Sequence, residues 1–465
     1  MALFRTEKNR VVLSLCLFWS LMAGWSAPPS VQGDTTHSSA LLATLARHIL
    51  PYDSESDLTA LMQWTEKARF VLLGEATHGT AEFYLLRAAI TRRLILEKNF
   101  TVIALEASYP RTLRLDAYIN GADLSLEDAL MGFRLYPAWM WRNQEFIRLL
   151  RWLRQHNAAV TEPAKRVHLF GLDLYGMYDA ISGLKENTFV LDRRMWQQVT
   201  RRLSCFDGFG DTALLYGDTV AQEPTRSCRA NVAGLAGDVA RMALPFVEQN
   251  PHAAPFAANA LQNARVVETG EEYFRLARQG DADGSWNLRD RFMADAMETA
   301  SWFFDQDTTG AKVILWAHNS HVGDIAATSM GVAGQVSIGH LAWQRFKDRS
   351  FLVGFLTAQG TVAASSSWGG EARKMTLAAP PATSLEHLLS RMDTPVFYFH
   401  TQAAADLVDA LMTPRLQRFI GVQYYPMEEK RYHYSETVMP GQYDAVFFIK
   451  NTQAVTPVDT GPGWQ

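Results

Sequence analysis

Residues 70–98 read FVLLGEATHGTAEFYLLRAAITRRLILEK, and this stretch decides the fold. Four apolar residues (70–73) stop at Gly74, a polar turn follows, and from 82 to 98 apolar positions return at helical spacing. A short apolar run bounded by glycine suits a strand covered on both faces, and strand, turn and helix in succession is how parallel strands are joined. The pattern recurs at VIAL (102–105), VHLF (167–170), VILW (313–316) and FLVGF (351–355). VFYF (396–399), FIGV (419–422) and AVFFI (445–449) are further strand candidates, and 144–156 carries a second helical period. The alternation predicts an α/β fold, a mostly parallel sheet flanked by helices.

Residues 179–305 break the rhythm. The stretch is rich in Arg and Ala, lacks strand runs, and holds Trp196, Phe206, Tyr273, Trp286 and Phe292, which need burial. It reads as a helical insertion covering one end of the sheet. No internal repeat or low-complexity segment interrupts the chain.

Composition narrows the function. Of 465 residues, 48% are hydrophobic and 20% charged, which excludes a disordered or collagen-like chain. Lys+Arg number 44 against 48 Asp+Glu, and a net charge of −4 gives no electrostatic reason to expect a nucleic-acid partner.

The N-terminus reads as a secretory signal. Arg5, Lys8 and Arg10 precede an apolar run, VVLSLCLFWSLMA (11–23), and small residues Gly24 and Ser26 stand at −3 and −1 of a cleavage site after Ser26. The prediction is an exported protein, periplasmic or secreted, comprising 27–465 without stable membrane insertion. The alternative, an uncleaved anchor, would need about 20 apolar residues. Two cysteines then remain, Cys205 and Cys228. Export permits a disulfide between them, and two separate buried thiols are the other reading. No CxxC or Cys/His cluster points to zinc.

Chemistry concentrates at three strand ends. The first run leads into Gly74-Glu75-Ala76-Thr77-His78-Gly79, the second into Glu106-Ala107-Ser108, and VILW into Ala317-His318-Asn319-Ser320-His321. Ligands of parallel sheets bind beyond the carboxyl ends of strands, so these acids and imidazoles are expected to share one cleft. His78, in a glycine-flanked turn, is the leading general base, with Glu75 or Glu106 orienting its ring. Arg87, about a turn into the next helix, would point back to stabilise an oxyanion or fix a carboxylate. Taken alone, on a helix that also carries Arg92 and Arg93, it reads as a surface ion pair. His168, inside its strand run, reads as a packed core histidine. HExxH, Gly-x-Ser-x-Gly and GxxxxGK[ST] are all missing, which argues against a zincin, the usual α/β-hydrolase serine enzyme and a phosphate-loop nucleotide site.

These motifs resemble the erythromycin esterase family. GEATHG (74–79), the arginine nine residues after His78, and LEAS (105–108) are similar to that family's opening pattern. WMWRN (139–143), FGLDLY (170–175), CFD (205–207), WNLRDRFM (286–293) and WAHNSH (316–321) continue the resemblance in order, from about 40 to 450. The chain is nearer the family's broad, unassigned bacterial branch than the named resistance enzymes, whose opening motif differs around the histidine. The resemblance implies an α/β sheet with helical additions and hydrolysis of a carboxylic ester or lactone, macrolide-type in the named members. It implies His78 as general base, Glu75 and Glu106 as paired acids, Arg87 as active-site arginine, and His318 and His321 as the later histidine pair. It tilts Cys205 and Cys228 towards free thiols.

The favoured reading is therefore a hydrolase of a small-molecule ester or lactone that needs no cofactor. A metal- or haem-binding module, or a metal-dependent hydrolase, would use the same Glu/His set, since His318 and His321 with Glu75, His78 and Glu106 have the donor types for zinc or iron. A non-catalytic envelope protein binding an extracellular ligand is the third reading. Oligomeric state is not legible.

Overall fold

The computed structural model describes residues 34–210, 212–304 and 310–459. The signal segment expected at 1–26 lies outside them. Along the chain the strands are β1 (Leu50–Pro51), β2 (Phe70–Leu73), β3 (Val102–Ser108), β4 (His168–Asp173), β5 (Val313–Trp316) and β6 (Ser350–Ala364), followed by β7 (Arg373–Thr376), β8 (Val396–His400), β9 (Arg415–Arg418), β10 (Tyr434–Thr437) and β11 (Ala445–Thr452). They belong to two compact units. The first takes residues up to Leu94, the short piece Asn143–Glu145, and Ala317 onward; the second takes Ile95–Arg142 and Phe146–Trp316.

In the first unit, β6 is the spine. It runs parallel to β2, with Phe70 opposite Ser350 and Leu73 opposite Val353, and parallel to β11, with Ala445 also at the level of Val353. Strand β8 lies antiparallel on β11, β1 antiparallel on β8, and β7 antiparallel on the far end of β6. All four residues of β2 are fully buried, as a strand flanked on both faces requires. At about 1.5–3 kcal/mol for each large apolar side chain removed from water, this run stabilises the sheet strongly. The helix Ala81–Lys98 leads away from β2.

In the second unit, β3 lies between β4 and β5 and is parallel to both; Leu105 faces Gly171 on one side and Trp316 on the other. Register slips between Leu105 and Ser108, so the last turn of β3 is irregular where Glu106 sits. Among the described residues, every element between β4 and β5 is helical, from Met177–Leu191 to Ala282–Phe303. Gly270 of the long helix Ala254–Arg278 lets that helix approach Met177 closely. Both units are α/β, with parallel central strands and flanking helices.

Four sequence readings change. FIGV (419–422) is not a strand: Ile420 makes one isolated bridge to Thr77, and the neighbouring strand is the polar β9, paired with β10. His168 is only half-buried; its ring stacks on Phe304 at 4.1 Å, and Nδ1 lies 3.2 Å from an Asp116 oxygen. Cys205 and Cys228 are joined in a disulfide, with Cα atoms 5.8 Å apart, against the tilt towards free thiols. The Cys228 N–H also donates to the Tyr216 hydroxyl, which donates to Glu271, so the bridge is anchored to the long helix. Arg87 is wholly buried, contrary to its surface reading.

Candidate active site

In the first unit, the turn after β2 is clamped by the segment after β5. A side chain at Gly74 would put its Cβ 2.1 Å from Asn319 Oδ1, and one at Gly79 would meet the Ala363 carbonyl oxygen at 1.9 Å. Glycine is required at both places because another chain segment touches the turn directly. Asn319 works as a peptide mimic: its side-chain amide donates to the Phe355 carbonyl at 2.8 Å and accepts from the Phe355 N–H at 3.3 Å. Its own N–H donates to the Glu75 carbonyl at 2.8 Å. From the other side, the Ile420 N–H donates to the Ala76 carbonyl at 2.8 Å, and the Tyr84 hydroxyl donates to the His78 carbonyl at 3.1 Å.

Inside this clamp, Arg87, Glu75 and His78 form a chain. Arg87 Nη2 donates to Glu75 Oε2 at 2.5 Å, and His78 Nδ1 lies 2.9 Å from Glu75 Oε1. Arg87 is 0% exposed, Glu75 1% and His78 6%. A buried carboxylate is tolerated when a guanidinium balances it, and Arg87 is that partner for Glu75. A charged carboxylate only accepts, so His78 donates its Nδ1–H and carries its lone pair on Nε2. The guanidinium also sits over the Tyr84 ring, 4.7 Å from its centroid.

The imidazole of His318 lies 4.9 Å from that of His78, centroid to centroid. His318 Nδ1 is 2.8 Å from Ser320 Oγ and 3.3 Å from the Ser320 N–H; Nε2 is 3.2 Å from the Ala76 carbonyl oxygen. His321 is buried in the same short helix, Asn319–Val322, where its N–H donates to the His318 carbonyl at 2.9 Å. Five of the six predicted site residues, Glu75, His78, Arg87, His318 and His321, thus belong to the first unit.

Glu106 belongs to the second unit, and its partner is one the sequence did not suggest. Arg289 Nη2 donates to Glu106 Oε1 at 2.8 Å and to Asp173 Oδ2 at 2.5 Å, while Nε donates to Asp173 Oδ1 at 3.0 Å. The Tyr175 ring lies 4.9 Å from the guanidinium carbon. Burial alone would pull the Arg289 pKa down; Asp173, Tyr175 and Glu106 outweigh it and hold the pKa well above the usual arginine value. Asp173 and Arg289 both stand in the motif runs FGLDLY and WNLRDRFM, but no periodicity links positions so far apart.

Among the described residues, no three or more His, Cys, Asp or Glu are grouped to hold a metal ion, and no helix is long and apolar enough to cross a membrane.

Comparison with known proteins places the chain in a family. A family model described as erythromycin esterase matches residues 95–452. The putative hydrolase YbfO of Bacillus subtilis (strain 168) is 23% identical over 439 residues, covering 89% of this chain and 90% of its own. Erythromycin esterase type I of Escherichia coli is 25% identical over 297 residues, 60% of this chain and 68% of its own. Among solved structures, a mutant of the erythromycin esterase EreC in its open conformation shares the fold with a TM-score of 0.67 at 20% identity, over 90% of this chain and 98% of that one.

Proposed function

We propose, from the premise that this chain belongs to the erythromycin esterase family and is a hydrolase, that it cleaves a carboxylic ester or lactone with water activated by His78. The observation that carries the reading is the buried Arg87–Glu75–His78 chain, which leaves the Nε2 lone pair of His78 as a base. Water gives a proton to Nε2 while its oxygen bonds to the substrate carbonyl carbon. The tetrahedral intermediate collapses, the C–O bond to the leaving group breaks, and the alkoxide takes up a proton. Arg87, spent on Glu75 and shut off from solvent, serves the carboxylate rather than the oxyanion. Stabilising the oxyanion and returning the proton fall to one member of the later histidine pair, His318 or His321. Glu106, bound by Arg289 in the second unit, is given no step in this reaction.

A macrolide-type lactone is the substrate class the family suggests. Export is part of the proposal, supported by the apolar N-terminal run and by the Cys205–Cys228 disulfide, a bond that persists in oxidising compartments.

Incubation of the purified protein with macrolides and simple esters, followed by mass spectrometry, tests the reading. The expected product carries one added water and does not form with His78→Ala. Undiminished turnover by His78→Ala would remove His78 from the reaction. Turnover of simple esters with none on macrolides would keep the chemistry and discard the drug class.

A further inference from the structure

The two histidines after β5 have different surroundings, and the difference assigns them different work. Nε2 of His318 faces the carbonyl oxygen of Ala76 at 3.2 Å. A carbonyl offers only lone pairs, so this nitrogen carries the proton and donates. Nδ1 then holds the ring's lone pair, and two donors of one residue point at it: the Ser320 hydroxyl at 2.8 Å and the Ser320 backbone N–H at 3.3 Å. The backbone N–H can only donate, so a proton on Nδ1 would be opposed to it. Both directions of reasoning give one tautomer, with Nε2–H and a bare Nδ1.

We propose that Ser320 is a positioning residue: it fixes the His318 tautomer, and His318 in turn holds the turn that carries the general base His78. This rests on the hydrolase reading given above. The contacts follow the turn residue by residue. Asn319 Oδ1 lies against Gly74, the Asn319 N–H holds the Glu75 carbonyl, and the His318 ring holds the Ala76 carbonyl. Two residues further on, the His318 ring tilts against His78 itself, at 46° between planes. If His318 flipped to its other tautomer, a bare Nε2 would face the Ala76 oxygen, lone pair to lone pair, and that peptide would move away. Glu75 and His78 flank this peptide, so their 2.9 Å contact would loosen with it.

A division of labour follows. His318 uses its one proton on Ala76 and is not the group that protonates the leaving alkoxide. Removing it should slow the reaction to a similar degree whatever the leaving group, because the base is misplaced in every case. Removing the true acid should be costly for alkyl esters and mild for nitrophenyl esters, whose leaving groups depart without help.

The test combines a substrate-free readout with kinetics. Carbon and nitrogen NMR of histidine-labelled protein, with His318 assigned through the spectrum of His318→Gln, reads the tautomer directly. The expected result is Nε2–H in the unaltered protein and in Ser320→Thr, and a raised share of Nδ1–H in Ser320→Ala, where only the longer 3.3 Å contact of the backbone N–H remains at Nδ1. Loss of one orienting hydrogen bond should lower kcat of Ser320→Ala about five- to ten-fold at unchanged KM, with Ser320→Thr recovering most of it. His318→Gln should lose alkyl- and nitrophenyl-ester turnover in equal proportion. An Nδ1–H tautomer in the unaltered protein would overturn the proposal, and so would a Ser320→Ala variant with the same tautomer and kcat. The NMR result stands without any substrate, so a protein inactive on every ester would sink the hydrolase reading while leaving the tautomer assignment to be judged by itself.

Discussion

Arg87 and Glu75 meet at 2.5 Å in a place solvent does not reach, twelve positions apart on a helix and on the turn that precedes it. The ion pair binds the second turn of the helix Ala81–Lys98 to the turn bearing His78, so the residue that balances Glu75 also fixes where His78 stands. Stability and reactivity should therefore fail together when it is broken.

Replacing Arg87 by Met leaves the Glu75 carboxylate buried without its guanidinium. The expected cost is about 3–5 kcal/mol, read as a lower urea midpoint, together with loss of turnover. Arg87→Lys restores the charge but not the fork and should fall between the two. Native stability in Arg87→Met would mean that Glu75 does not depend on this pair.

Gly79→Ala tests the close approach of the turn to β6. The new Cβ would lie 1.9 Å from the Ala363 carbonyl oxygen and 2.7 Å from its carbonyl carbon and amide nitrogen, all backbone atoms. A forced shift of this kind costs at least about 1–3 kcal/mol. The clash is with main chain, so a second change, Ala363→Gly, should give no rescue in a thermal melt of the double variant.

In the second unit, Arg289→Met removes the guanidinium that Glu106 and Asp173 share. Destabilisation should again reach about 3–5 kcal/mol near neutral pH. Its pH dependence has a definite sign: two buried carboxylates deprived of their shared guanidinium bind protons more readily than they did beside it, so the variant should recover part of the deficit on acidification. A deficit independent of pH, measured by denaturant titration at several pH values, would contradict the pairing.

His433 supplies an acid-sensitive contribution in the first unit. Burial, with Arg418 nearby, pushes its imidazole down to about 4, against a partial lift from the Phe419 carbonyl, and Nε2 accepts from the Tyr425 N–H at 3.0 Å. The folded pKa lies below the unfolded one, so this contribution is complete above about 6.5 and is lost as the pH falls towards about 4. His433→Gln, which keeps an acceptor but does not titrate, should show a flatter stability profile between those values than the unaltered protein.

The strand ends were legible because the apolar runs coincide with the strands at 70–73 and 313–316. FIGV (419–422) misled because only Ile420 is buried, packed around the turn with a single bridge to Thr77 rather than in a ladder. The β9–β10 pair was invisible because RLQR and YSET carry no apolar run. Of the site, the residues that meet through local sequence, Glu75, His78 and Arg87, were all named, although the depth of Arg87 was not. The Arg289–Asp173 fork was not named, since 116 positions separate its members and only the fold joins them. Ser320 passed unnoticed for the opposite reason: it stands two residues from His318, where a serine ordinarily signals nothing beyond a turn.

The first unit is assembled from the beginning and the end of the chain, and this orders events during synthesis. Ala76 is made 242 residues before His318, a delay of roughly 10–50 s at ordinary rates of elongation. Every residue of the second unit has been made by then, since that unit ends at Trp316. The nascent chain therefore carries His78 for most of its growth without His318, the asparagine clamp or β6 to set it. A ribosome-bound fragment ending before Ala317 should hold no ordered Glu75–His78 turn, so the proposed centre comes into being only as the last third of the polypeptide emerges.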